Sequence, residues 1–486
     1  MSQPDLLALA LLLPFAGALL IALLGRQPRL RDALVLIVPL ALLATVLQLL
    51  PAVLGGAQPS LTLLQVMPGL TLSFSIEPLG MLFAAVAALL WPAASLYSIG
   101  YLKANREKHQ TRFHACFAIS IGGAVGVAFA ANLLTLFISY EVLTLATYPL
   151  VAHKADTKAL RGARIYLGVL LSTSIGLLLP AILWTWAAAG TLDFRPGGIL
   201  AGTLDNGLLG ILLFLYAYGI GKAALMPLHR WLPAAMVAPT PVSALLHAVA
   251  VVKAGVFSLL KVLVYVFGID LLRELPASTW LFALAAASIL IASTIALRQD
   301  NLKRRLAYST VSQLSYVLLG AMILAPLSLL GAALHIAAHA FGKITLFFAA
   351  GAIYTAAHKT EVSQLGGIGY RMPWTMTAFS IGALSMIGLP PLAGFLSKWY
   401  LLGGAWQSEH YAAMLVITIS TLLNAAYFVP IIHAAWFKPA DAHSDHGEAP
   451  PSIVAALLFT ALLTLLLCFS YEIPLQLAQA IPGGSP

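Results

Sequence analysis

Charge is what this sequence has least of: only 9% of its 486 residues are Asp, Glu, Lys or Arg. A soluble chain would need about a quarter to cover its surface. Hydrophilic stretches long enough for a soluble domain are missing as well. Apolar runs of about twenty residues, the length that crosses the hydrocarbon core of a bilayer, recur from end to end. These absences exclude a soluble fold and leave an all-α integral membrane protein. Cysteine is scarce too. Cys116 and Cys468 lie far apart in apolar runs and form no CxxC pair, haem-attachment motif or cluster signature. Neither a dinucleotide fingerprint nor a phosphate-binding glycine loop occurs. The residues therefore offer no cofactor site, no metal site and no means of carrying electrons or hydrolysing nucleotides. The net charge of +9 would suggest nucleic acid in a soluble protein. In a membrane protein it fits cationic loops on the cytoplasmic face, and no nucleic-acid partner is expected. Residues 5–25 lack a basic leading region and a cleavage site, so they read as a retained first span.

Hydropathy predicts about 14 transmembrane helices, over residues 5–25, 33–54, 76–98, 113–131, 133–153, 165–187, 207–237, 240–267, 277–297, 304–325, 328–357, 373–401, 411–437 and 451–472. Lysine and arginine placement, which played no part in choosing them, alternates with the spans. The odd-numbered connections and the span ends bordering them hold nineteen basic residues, and the even-numbered ones only Arg195 and Arg273. That bias puts the odd connections in the cytoplasm and both termini on the outer side of a bacterial inner membrane.

The five remaining basic residues all fall inside spans: Lys222, Lys253, Lys261, Lys343 and Lys398. Glu141 is the one acid that falls deep within a span. An ionisable group at the bilayer centre costs at least about 2.5–3.5 kcal/mol and is a functional candidate for that reason. Lys222, Lys253, Lys343 and Glu141 sit near the middle of their spans, whereas Lys398 is displaced outward, so the expected pattern is a lateral row with an exit towards the outside. Lys261, near an outer end, reads as snorkelling to the interface.

Two spans are long and carry breakers. The seventh reads GKAALMPLHRWLP, with Pro227 and Pro233 after Lys222; the twelfth reads IGLPPLAGFLSKW, with Gly388, Pro390, Pro391 and Gly394 before Lys398. Paired broken helices five spans apart are the mark of two inverted five-helix repeats. The single membrane domain then divides into three leading helices (1–112), repeat one (113–267), repeat two (277–437) and a last helix with its tail (451–486). Broken helices expose backbone groups, which is tolerable in mid-membrane only against protein or internal water.

Proton transfer follows from that arrangement. Pairing of Glu141 with Lys222 would favour the charged lysine, and separating them would eject its proton. Lysine suits this role, because arginine would stay protonated. His247, His335 and His339 are candidate relays between lysines; His335, His339 and Lys343 share one helical stripe by their spacing. The structural alternatives are that Lys222 satisfies carbonyls freed by Pro227 and that the histidines only hydrogen-bond across helices. The segment DAHSDHGEAPP at 441–451 mixes acids and histidines but reads as a solvated loop.

The stretches SYEVLTLATYPLV (139–151), KAALMPLHRWLPAAMVAPTPVSALLHAVAVVKAGVF (222–257), NLKRRLAYSTVSQLSY (301–316), HIAAHAFGKITLFFAAG (335–351) and GLPPLAGFLSKWYLL (388–402) carry a resemblance. Over roughly residues 70–435 the chain resembles the antiporter-like subunits shared by Mrp-type multisubunit cation/proton antiporters, respiratory complex I and membrane-bound hydrogenases. The resemblance implies that Glu141 and Lys222 form the family's ion pair, that Lys253, His335, His339 and Lys343 form its central hydrophilic axis, and that Lys398 is the terminal proton-transfer residue. It also implies a fold of fourteen core helices. The APTPVSALLHA segment looks like the large subunits, whereas the length suits a shorter D-type Mrp subunit. The expected partners are other membrane subunits, the lipid bilayer, protons and Na+ or K+. The leading expectation is Mrp-type antiport. The alternatives are a proton-pumping subunit of a redox-driven complex and a coupling subunit for inorganic-carbon uptake.

Overall fold

A computed structural model describes residues 1–439 and 446–484, and of 246–249 only the backbone. Helices dominate, because a backbone surrounded by hydrocarbon must satisfy its polar groups within the segment. In chain order they are α1 (Gln3–Leu23), α2 (Pro28–Leu54), α3 (Pro78–Ala104), α4 (Gln110–Ala128), α5 (Leu133–Val151), α6 (Thr157–Ala189), α7 (Asn206–Gly219) and α8 (240–267). There follow α9 (Ser278–Leu297), α10 (Leu302–Met322), α11 (Pro326–Ala357), α12 (Pro373–Ile387), α13 (Ala393–Gln407), α14 (Tyr411–Phe437), α15 (Pro451–Phe469) and the short α16 (Glu472–Gln479). Among the described residues, ten helices are long and apolar enough to cross a membrane by length and composition. The expected spans 207–237, 240–267, 304–325 and 373–401 are the ones outside that set. They correspond to elements that are interrupted, wound partly as π-helix, or richer in polar residues.

The connection between α2 and α3 holds an antiparallel hairpin that the span pattern did not foresee, β1 (Ser60–Met67) paired with β2 (Leu70–Ser75). Met67 faces Leu70, which leaves Pro68 and Gly69 to make the turn, with Gly69 at φ +80°. A glycine is the residue that turn needs.

The core is organised around α11. Every residue from Ser328 to Ile353 is buried, with α3, α10, α12, α13 and α15 packed around it. The helix is therefore largely apolar on all sides, its titratable exceptions being His335, His339 and Lys343, the pattern of a buried strut rather than an amphipathic surface helix. By contrast α1 and α2 lie at the periphery, with leucines such as Leu12 and Leu47 exposed, as suits a lipid-facing surface.

Both expected interruptions are present. After α7 the chain leaves helical geometry at Ile220, makes one tight turn over Gly221–Ala223, and passes through Ala224 at φ +55° before Pro227. Gly255 of α8 lies against this segment so closely that a Cβ there would come 2.2 Å from the Lys222 carbonyl carbon. The second break separates α12 from α13: Gly388 caps α12 at φ +94°, and Pro390 and Pro391 keep the chain from continuing as helix. Gly394 then lets α13 start against α12, since a Cβ would lie 1.8 Å from the Ser385 oxygen.

Two polar latches tie down connections. Ser363 donates its backbone N–H (2.9 Å) and its hydroxyl (2.7 Å) to Asp300, and these bonds hold that exposed carboxyl below the usual carboxylate range. Glu448 accepts from the backbone N–H groups of Trp374 (2.7 Å) and Thr375 (3.1 Å), which fixes it on the start of α12. The acid–histidine segment expected as a solvated loop is thus anchored at its described end; residues 441–445 lie outside the described residues.

Candidate functional site

The lysines that hydropathy placed inside spans are buried here: Lys222, Lys253 and Lys343 are 0% exposed, Lys261 is 1% and Lys398 is 5%. Each ammonium has to find oxygen atoms or internal water, since an unsatisfied buried polar group costs about 1–3 kcal/mol and a charged one more.

Lys222 lies in the break after α7, where the local backbone turns it towards α5. Its Nζ donates to the Tyr140 carbonyl at 2.8 Å and to the Thr144 hydroxyl at 2.5 Å, and sits over the Tyr140 ring. Its own backbone N–H, orphaned by the break, donates to the Tyr140 hydroxyl at 2.9 Å. The Trp231 indole N–H donates at 3.0 Å to the Gly221 carbonyl, which also accepts from the Ala224 N–H at 3.0 Å. This geometry corrects one expectation. Glu141 is the next residue on α5, within electrostatic reach of Lys222, but the two make no direct ion pair. Both Glu141 carboxylate oxygens lack a hydrogen-bond partner among the described residues. The lysine takes the Tyr140 carbonyl and the Thr144 hydroxyl as its acceptors in place of the carboxylate.

The central group gathers on α8, α10 and α11. Lys253 is within electrostatic reach of His335, His339 and Lys343, and the two imidazole rings stand 6.0 Å apart. Lys253 Nζ, both nitrogens of His339, His335 Nε2 and both side-chain atoms of Gln313 are buried without a hydrogen-bond partner among the described residues. Six unsatisfied atoms in one place are a polar cluster that internal water would complete. His335 is held at its other end, with Nδ1 2.9 Å from the Ser397 hydroxyl of α13. His247 belongs to the π-helical turn Ser243–Ala250 of α8; its side chain lies outside the described residues. Among the described residues no cluster of three or more His, Cys, Asp or Glu gathers into a metal-like site.

From Lys343 a continuous chain of polar contacts leads to Lys398. Lys343 Nζ donates to Ser309 Oγ at 2.7 Å, and the Tyr427 hydroxyl lies 2.9 Å from the same oxygen. Tyr427 also bonds to Asn424 Oδ1, and Asn424 Nδ2 donates to the Met386 carbonyl at 3.4 Å. Lys398 shares that carbonyl at 3.2 Å and donates to the Ile387 carbonyl at 2.8 Å and to Thr421 at 3.2 Å. The acceptors of Lys398 are the last carbonyls of α12, which the break leaves without helical partners. A cation there also meets the negative end of the half-helix dipole. Ser309, Tyr427 and Asn424 were missed in the sequence. Each is an ordinary polar residue in an apolar helix, and only the folded arrangement shows that they share one line.

Lys261 overturns its reading. Rather than snorkelling, its Nζ sits 2.7 Å from Glu77 Oε1, with the side chains 1% and 12% exposed, and donates to the Ala130 carbonyl at 2.7 Å. Phe194 and Phe257 present ring faces to it, at 4.4 Å and 5.6 Å.

Fold and site together define a polytopic helical membrane protein with a charged, polar interior. Residues 130–424 match the family described as NADH:quinone oxidoreductase/Mrp antiporter, TM. The chain belongs to that family of antiporter-like membrane proteins. It is 34% identical over 380 residues to NADH-quinone oxidoreductase subunit N of Desulforudis audaxviator, covering 77% of this chain and 75% of the relative. Hydrogenase-4 component B of Escherichia coli is 31% identical, with 82% of this chain matched to 62% of that one. The A/B component of a probable K(+)/H(+) antiporter of Rhizobium meliloti is also 31% identical, but the match covers only 40% of its length. The chain thus spans less than two thirds of these last two relatives. A chain of the Mrp complex from Dietzia shares the fold with a TM-score of 0.89 at 21% identity, covering 100% of this chain and 98% of that one.

Tyr427 joins Ser309 to Asn424, so Tyr427→Phe should leave two buried polar groups short of a partner while keeping the ring. The expected loss is about 1–3 kcal/mol in reversible unfolding from mixed micelles. An unchanged midpoint would mean that the hydroxyl bridges nothing.

Proposed function

We propose that this chain is a proton-translocating, antiporter-like subunit of a multisubunit membrane complex, with Mrp-type exchange of a monovalent cation, Na+ or K+, for protons as the leading reading. One observation carries it: ionisable groups run through the protein interior from Glu141 and Lys222, through Lys253, His339 and Lys343, to Lys398. A scaffold has little use for such a line, because an apolar interior of the same shape would be at least as stable.

In this reading Lys222 is the switch. With its ammonium on the Tyr140 carbonyl and Thr144, the lysine is held away from direct contact with Glu141; a shift of the broken segment by one side chain's reach would bring the two together and favour the charged form. His335 and His339 relay between Lys253 and Lys343, with His247 as a further candidate. Ser309 and Tyr427 continue the line, since a hydroxyl can donate and accept at once. The amide of Asn424 positions Tyr427. Lys398 is the outward gate, and the two five-helix units, 113–267 and 277–437, would carry one broken helix each.

Lys222→Ala is expected to abolish proton-coupled transport in vesicles, read with a pH-sensitive dye, while the complex still assembles. Wild-type transport in that variant would falsify the role given to the lysine.

A second reading is a proton-pumping subunit of a redox-driven complex, favoured by the 34% identity to subunit N over three quarters of that protein. The two part on composition. The purified complex should contain small hydrophobic subunits without flavin or iron–sulfur absorbance; co-purifying redox centres would replace the first reading with the second.

The proposed orientation, in a bacterial inner membrane with both termini outside, is checked by cysteine labelling in a variant with Cys116 and Cys468 replaced. An impermeant maleimide added to intact cells should label Arg195→Cys and spare Lys108→Cys. The opposite pattern inverts the topology.

A further inference from the structure

The Glu77–Lys261 pair lies outside the row just described. Lys261 follows Lys253 by eight residues on α8, about 12 Å along the axis at 1.5 Å per residue. Between them Ser258 is buried with its hydroxyl unpartnered. Glu77 precedes α3, directly after the β-hairpin, and the Tyr265 phenol lies against its carboxylate. The pair is roofed by three connections. The β2 end bonds to the α4–α5 turn, with Ser75 N–H to Phe129 O at 2.7 Å. The 190–203 segment bonds to the same turn, with Phe194 N–H to Ala131 O at 3.1 Å, and to the end of α8, with Ile199 N–H to Val266 O at 2.8 Å.

We propose that Glu77 and Lys261 form a second proton-exchange site, placed between Lys253 and the hairpin face of the protein; the proposal rests on the proton-translocating reading above. Stability gives no sufficient reason for the pair. A buried ion pair replaced by apolar groups of similar shape is often neutral or more stable, and backbone hydrogen bonds already hold the roof. The chemistry, in contrast, needs these groups. Lys261 Nζ stands 2.7 Å from Glu77 Oε1 without hydrogen-bond alignment; rotation of the ammonium into line lets it pass one proton to the carboxylate: an N–H bond breaks, an O–H bond forms, and an ion pair becomes a neutral amine and a carboxylic acid. No net charge is created in a site of low dielectric. The acid then releases its proton towards the hairpin face, and the amine takes the next one from the Lys253 side by way of Ser258 and water. The Ala130 carbonyl keeps the amine in place throughout.

The test uses the whole complex in vesicles and the double variant Glu77→Gln with Lys261→Met, which removes both charges and leaves neither buried alone. Glu77→Asp serves as the variant that keeps a carboxylate. The expected result is an assembled complex whose proton flux falls by at least about tenfold in the double variant, with Glu77→Asp within a few-fold of wild type. Wild-type flux in the double variant overturns the proposal, and so does its failure to assemble, which would make the pair structural. Lys222→Ala measured alongside separates the readings. Loss there with wild-type flux in the double variant removes this site alone, whereas wild-type flux in both removes this chain's part in proton translocation.

Discussion

An ammonium group buried among hydrocarbon side chains has to be given oxygen atoms, and a helix in a bilayer has almost none to spare. Most of this architecture answers that shortage. Interrupting a helix releases carbonyls in mid-membrane, and hydroxyls and carbonyls of neighbouring helices and turns supply the rest. Lys398 sits on the last carbonyls of α12. Lys222 lies within its own interruption and takes oxygen from Tyr140 and Thr144, and Lys261 draws on the Ala130 carbonyl in the α4–α5 turn. The glycines at 255 and 394 follow from the same need, because broken segments must lie close to neighbouring helices for side chains to reach. Lys253 is the exception that defines the centre: with no protein acceptor among the described residues, it depends on a polar cluster that only water completes.

What could be read in the sequence was what depends on composition and spacing along one helix. Buried lysines stand out because they interrupt apolar runs, and the breaks are marked by Pro227, Pro233, Gly388, Pro390 and Pro391. What could not be read was anything that depends on a partner far away in the chain. Lys261 looked like an interfacial lysine because its carboxylate is supplied by Glu77, just before α3. Ser309, Tyr427 and Asn424 carry no signal singly; their line exists only once α10 and α14 pack. The β-hairpin has strands of only 8 and 6 residues, too short to register in a hydropathy pattern of span length.

The Glu141–Lys222 relation shows a limit of another kind. Two oppositely charged groups placed at similar depth invite the inference of a contact, and spacing alone cannot say on which side of α5 the lysine arrives. It arrives on the Tyr140 and Thr144 side. The carboxylate is left without a hydrogen-bond partner among the described residues, within electrostatic reach of the lysine but not in contact with it.

The row of cations also has an electrical meaning. Lys222, Lys253 and Lys343 occupy the middle portions of their segments, so on the proposed function a proton passed from one to the next stays at nearly the same depth. Movement parallel to the membrane crosses none of the transmembrane potential. The electrical work, about 2.3 kcal/mol per charge for each 100 mV, therefore falls on the steps that bring a proton to the row and take it away. The long lateral path is free of voltage, and the short vertical ones at its ends bear all of it.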